Sequence, residues 1–315
     1  MTHTFFVGLF AALSLPILAY AQPADLVLYT INSLSDSEGN ETHFVSLTDT
    51  YRWQDNAHPD SQAVAPRYLD DGLQEDEMRH ELKGAFRRRF LRRTGIRETD
   101  RVFYYDLRSD KLVTRQVRRH RLVAIPSPYH NPAPVSQYDY MIGFEVSDLP
   151  DRMLDNAYNN VLVYVGERSP FQLGEVTRMV FDSIAGNLYP TGGRYADWQQ
   201  RYERGGTYRF RTDEADYLAQ EWLVDGGLPA VQLLVIDRKS GRILYDAWYQ
   251  EGESTMPHRI LTQYKTGYGG SPYTGAVLKD MPPIVHGFYD VSFGCVVIGL
   301  LGTSEYVPIQ CDNRH

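Results

Sequence analysis

Asp213-Glu-Ala-Asp-Tyr-Leu-Ala-Gln-Glu-Trp-Leu223 is the stretch on which the fold class turns. Ala215, Leu218, Ala219 and Trp222 recur at the spacing of one helix face, so the periodicity predicts an amphipathic helix. Beyond it, Gln232–Tyr249 reads as a hairpin around the turn Asp237-Arg-Lys-Ser-Gly-Arg242. The same plan stands earlier in the chain. Glu75–Arg93 carries Met78, Leu82, Phe86 and Phe90 four residues apart, acids at its start, arginines at its end, and Gly95 as a stop. A hairpin, Arg101–Val117, follows it. The two units align without gaps, with Phe86 on Tyr217, Leu91 on Trp222, Gly95 on Gly226 and Asp106 on Asp237. Two readings stay open: an ancient duplication, or chance recurrence of a common helix–glycine–hairpin unit.

Working outward, helical spacing recurs at Asp148–Asn159 (Leu149, Met153, Ala157) and Glu175–Ala185 (Val176, Met179, Val180, Ile184). Hairpins outnumber strand–helix–strand units, so the expected class is α+β, with helices packed on a mainly antiparallel sheet. Pro126, Pro128, Pro132 and Pro134 suggest an extended linker over 126–137, between a first lobe at 22–125 and a second at 138–315. Ser33–Gly72 is polar and turn-rich and reads as a long irregular excursion.

Composition bounds these readings. The chain has 315 residues, 43% hydrophobic and 23% charged, with formal net charge −8. Those fractions exclude wholesale disorder. At 13% aromatic, with 23 Tyr, it calls for a buried, strand-rich interior.

Residues 1–21 read as a secretory signal. An apolar run from Phe5 to Leu18 precedes Ala19-Tyr20-Ala21, with cleavage expected before Gln22 and export to the periplasm or beyond. In an oxidising compartment Cys295 and Cys311 are expected to form a disulfide, worth about 3 kcal/mol in the chain-entropy view. No later segment reads as a membrane-spanning helix. The helical stripes argue against an outer-membrane barrel.

Charge is the least ordinary feature. From Arg79 to Arg121 there are 15 Lys/Arg against 5 Asp/Glu, which leaves −18 for the rest of the chain. Arg87, Arg88, Arg92, Arg93, Arg118 and Arg119 are the candidate binding residues. Anionic lipid, lipopolysaccharide or an acidic cell-wall polymer are the partners such a stripe suits. Nucleic acid is not expected outside the cell, and no nucleic-acid motif accompanies the arginines. The competing reading is intramolecular docking against the acidic remainder. The leading expectation is an exported, non-catalytic binding protein that needs no cofactor.

Near the C-terminus, Ile284-Val-His286-Gly-Phe-Tyr-Asp290-Val-Ser292-Phe-Gly-Cys295 places His-Gly before Ser-x-Gly-Cys. A glycine-rich loop, Thr266–Gly275, lies upstream. Locally this resembles the active-site signature of L,D-transpeptidases, exported enzymes that cross-link peptidoglycan through a cysteine thioester. The resemblance implies Cys295 as nucleophile, with His286 and Ser292 beside it. In that family His-Gly stands well over ten residues before the serine, and an Arg or Asn stands where Val297 is here.

Other catalytic motifs are absent, although the many carboxylates leave a glycosidase pair open, since its two acids need not be close in sequence. Gly-x-Ser-x-Gly, Ser-x-x-Lys and His-Glu-x-x-His are absent, and the nine histidines show no close pair suited to zinc. No metal site is expected. Asp36-Ser-Glu-Gly39 lacks the first acid of an EF-hand loop.

Overall fold

The computed structural model describes residues 26–35, 41–48, 64–68, 79–126, 140–185, 193–225, 227–252, 255–262, 271–291 and 295–310. The expected α+β class does not hold. Strand makes up 50% and helix 14% of the described residues, and there is no layer of helices packed on a sheet.

The decisive segment shows why. Ala215–Val224 is a strand, hydrogen-bonded to Glu203–Arg211 on one side and Gly227–Asp237 on the other. Ala215, Tyr217 and Ala219 are buried with a period of two, and then Gln220, Glu221 and Trp222 are buried as well. A strand covered on both faces satisfies helix-spaced apolar residues and alternating ones equally well. The duplicated unit therefore fails at its helix. Its hairpin, Gly227–Asp237 with Ile243–Gln250, is formed as expected.

The other expected helices are shortened or replaced. A regular helix runs only over Gly84–Thr94. His80–Glu81 is already strand, and residues 69–78 lie outside the described residues. The helix ends at Gly95, whose left-handed φ of 74° supplies the expected stop. Asp148–Asn159 contains two single turns, Asp151–Leu154 and Ala157–Asn160, broken at Asn156 with φ 48°. Glu175–Ala185 holds two short strands, Thr177–Arg178 and Asp182–Ser183. Within Ser33–Gly72, Asn32–Ser35 and Glu41–Ser46 pair as a hairpin.

Three sheets carry the fold. The largest, nine-stranded and curled, runs in the order Thr177–Arg178, Tyr273–Gly275, Ile284–His286, Val297–Leu300, Tyr306–Gln310, Leu28–Tyr29, Val161–Gly166, Arg101–Asp106, Lys111–Gln116. Its one parallel pair joins Leu28–Tyr29 to Tyr306–Gln310, in register Leu28 with Ile309. A five-stranded sheet orders Asn32–Ser35, Glu41–Ser46, Tyr140–Glu145, Leu122–Pro126 and His80–Glu81. A five-stranded meander runs Asp182–Ser183, Glu203–Arg211, Ala215–Val224, Gly227–Asp237, Ile243–Gln250.

Arg101–Asp106 is covered on both faces. Val102 and Tyr104 point into one core with Phe86, Phe90, Leu122, Ile142 and Phe144, where the helix closes over the smaller sheet. Phe103 and Tyr105 point into a second, with Leu162, Phe171, Ile298 and Ile309. A third core lies between the meander and the large sheet, built from Tyr217, Val231, Leu233, Phe181, Val285 and Phe288. Each fully buried large apolar side chain contributes about 1.5–3 kcal/mol, so Phe86 and Phe90, both 0% exposed, anchor the helix. The strands flanking the proline-rich segment, Leu122–Pro126 and Tyr140–Glu145, pair with each other, while 127–139 lies outside the described residues. Among the described residues no helix is long and apolar enough to cross a membrane.

Candidate functional site

The basic segment divides into arginines the fold consumes and arginines it leaves in solvent. Arg87 is consumed. Its Nε and Nη2 donate to the two carboxylate oxygens of Glu98 at 2.7 and 2.8 Å. Its Nη1 and Nη2 also donate to the carbonyls of His120 (2.8 Å) and Val117 (2.9 Å). One planar guanidinium thus ties the helix to the 3-10 turn Val117–Arg119 that follows the hairpin. Hydrogen bonding to Arg87 holds the Glu98 carboxyl below its usual range, against the opposing effect of burial.

That tie sets the turn Val117–Arg119 against the helix. Arg88, Arg92 and Arg93 on the helix and Arg118 and Arg119 on the turn are all exposed. Arg88 and Arg92 are four residues apart, hence neighbours on one helix face, and Arg92 and Arg93 sit where the helix dipole favours cations. Arg118 donates to Gln116 Oε1 at 2.9 Å. His120 adds no charge: burial pushes its pKa down, and its Nδ1 pairs with the Glu145 carbonyl at 3.2 Å. Other members of the basic segment are neutralised within the chain. Arg79 and Arg121 both face Glu145, and Arg108 reaches Asp106 and Asp155. The intramolecular reading accounts for these three and for Arg87.

The C-terminal group has a different geometry. His286 lies in the strand Ile284–His286 and is only 6% exposed. Burial drives its pKa down to about 4, so the ring is neutral, and among the described residues its Nδ1 has no hydrogen-bond partner. Cys295 is half-buried. No free thiol is found among the described residues. Ser292 and Cys311 lie outside the described residues.

The organised histidine is one that sequence reasoning passed over. Thr255–Pro257 pairs with Tyr289–Val291, in register Met256 with Asp290, and this sets His258 beside Asp290. His258 Nε2 lies 2.8 Å from Asp290 Oδ2, and His258 Nδ1 lies 3.0 Å from the Gly287 carbonyl. A carbonyl only accepts, so Nδ1 carries a proton. Burial would lower the His258 pKa, but the hydrogen bond and charge of Asp290, with the Gly287 carbonyl, outweigh it and raise the value. Both partners accept, so they favour the protonated ring, in which both nitrogens donate. The pair clamps its two segments together at the wall of a cavity of about 630 Å³ that Arg259 and Glu251 also line. No signal in the sequence marked this pair, because only the strand pairing joins the two residues.

Compared with known proteins, the chain matches no family model, no curated protein and no solved structure.

Proposed function

We propose that the protein is an exported, non-catalytic binding protein of the envelope or the surrounding medium, which holds an anionic ligand on its arginine face. The observation that carries this reading is the role of Arg87. By spending its own charge on Glu98 and two carbonyls, it sets Arg118 and Arg119 beside the helix that displays Arg88 and Arg92, all four exposed. Exposed guanidinium groups gathered on a rigid helix and turn suit the phosphate or carboxylate groups of an anionic lipid, a lipopolysaccharide or an acidic cell-wall polymer. Export rests on the N-terminal sequence. The thiol alternative, an acyl transferase built on Cys295, is the weaker reading: no free thiol is found among the described residues, and His286 is buried. The test is co-sedimentation of the mature protein with phosphatidylglycerol vesicles, lipopolysaccharide and cell-wall polymer. Binding should weaken steeply between about 0.05 and about 0.5 M salt, as Debye screening shortens. Replacing Arg88, Arg92, Arg118 and Arg119 together by Gln should abolish it. Binding that ignores salt, or no binding to any of the three, overturns the reading.

A further inference from the structure

The meander ends at Ile243–Gln250, which among the described residues has one strand partner, Gly227–Asp237. Its other edge lines a groove of about 470 Å³ shared with Val297, Gly299 and Thr303–Tyr306. We propose that this groove, which is separate from the arginine face, binds an uncharged glycan chain.

Tyr195, Tyr245, Trp248 and Tyr306 line it. Trp248 is held by four neighbours, with ring centroids at 5.7 Å for Tyr195, 5.6 Å for Trp198, 5.9 Å for Tyr202 and 5.6 Å for the buried Trp222. Its Nε1 donates to Gln250 Oε1 at 3.2 Å, and the Arg194 guanidinium covers the Tyr195 ring at 5.4 Å. The ring is therefore preorganised, which keeps the ordering cost of binding low. On the opposite side, a Cβ on Gly299 would come within 2.5 Å of Tyr245 Oη, so glycine is what lets that tyrosine lie against the large sheet. At the mouth, Tyr306 is 61% and Ile243 58% exposed. Large apolar side chains gathered in a rimmed concavity mark a binding surface.

Two observations choose the occupant. The first excludes an added peptide strand. The outward carbonyls of the edge are already engaged, Leu244 by the Gly302 N–H at 2.7 Å and Asp246 by the Tyr195 hydroxyl at 3.3 Å, so a ladder has few acceptors left. The second is charge. Arg194 shares the lining with the carboxylate of Asp246, so no excess of positive charge gathers there to attract an anion. Rigid aromatic faces edged by carboxylates and the hydroxyls of Thr303 and Ser304 match a pyranose ring, with its C–H face and its rim of hydroxyl groups.

The experiment follows intrinsic tryptophan fluorescence of the mature protein titrated with uncharged tetrasaccharides (cellotetraose, maltotetraose and chitotetraose in its N-acetylated form). Binding of at least one is expected, saturable and insensitive to salt. Trp248→Ala should weaken it at least tenfold. Tyr306→Ala, at an exposed position that the fold does not need, should weaken it several-fold. If none of the three binds, or if both variants bind as the parent does, the proposal is wrong. It is equally wrong if only uronate or sulfate polysaccharides bind and the arginine variant abolishes that binding, since the arginine face would then be the carbohydrate site.

Discussion

His258 and Asp290 meet at 2.8 Å beside a two-stranded sheet formed by Thr255–Pro257 and Tyr289–Val291. With the Gly287 carbonyl on the other nitrogen, the imidazolium pins the segment after His286 to the segment after the meander. Its pKa is raised in the folded state, so it stabilises fully below the ordinary histidine value of ~6.5 and loses that contribution as pH climbs through the folded value. His286 acts with the opposite sign. Its folded pKa of about 4 means that the unfolded chain takes up the proton first, and stability falls as pH drops from ~6.5 toward 4.

Urea unfolding across pH checks both histidines. Asp290→Asn should cost about 1 kcal/mol near pH 6, with solvent at the half-exposed carboxylate limiting the loss, and the difference should fade in alkali. His286→Phe should flatten the acid limb by about 3 kcal/mol between pH ~6.5 and 4. An unchanged acid limb in His286→Phe would remove that residue from the account.

Arg87 and its neighbours should separate cleanly. Arg87→Gln leaves the carbonyls of Val117 and His120 without their donor and should destabilise by about 2–3 kcal/mol. Arg88→Gln and Arg92→Gln, at exposed positions, should shift stability by no more than about 0.5 kcal/mol. Denaturant midpoints of the three single variants make the comparison. Equal losses at all three would mean that the helix face is structural throughout.

Cys295 and Cys311 should be bonded when the protein is made in an oxidising compartment. Intact mass after alkylation without reductant should show no added group, and two after reduction in denaturant. Rapid alkylation of Cys295, slowed by replacing His286, would reverse this and bring the thioester chemistry forward.

What the sequence made legible was local. Both hairpins were found because their turns carry side chains that fold back on the backbone. Ser109 Oγ donates to Asp106 Oδ2, and the Ser240 N–H and hydroxyl both donate to Asp237 Oδ1. Asp110 at φ 50° and Gly241 at φ 69° complete the reversals. The helix stop at Gly95 was legible for the same reason. Ala215–Val224 was not, because burial on both faces erases the difference between the two periods. At the candidate site, the excess of arginine was visible as a charge run. That Arg87 would be spent inside the fold depends on a turn thirty residues away, and the ring of aromatics around Trp248 on three separate segments, so neither could be read locally.

The two-residue strand Leu28–Tyr29 sits between Tyr306–Gln310 and Val161–Gly166 and joins what would otherwise be separate ribbons. Half of its seat, Val161–Gly166, is made midway along the chain, but the other half does not exist until residues near 310 have been made and placed. One edge of this strand therefore stays unpaired through nearly the whole of synthesis. Completion of the large sheet is a late event with very long loop closure, which slows it. Until then two raw edges stand open to other copies of the chain, so the interval before closure is when the protein is most exposed to aggregation and most dependent on being kept apart.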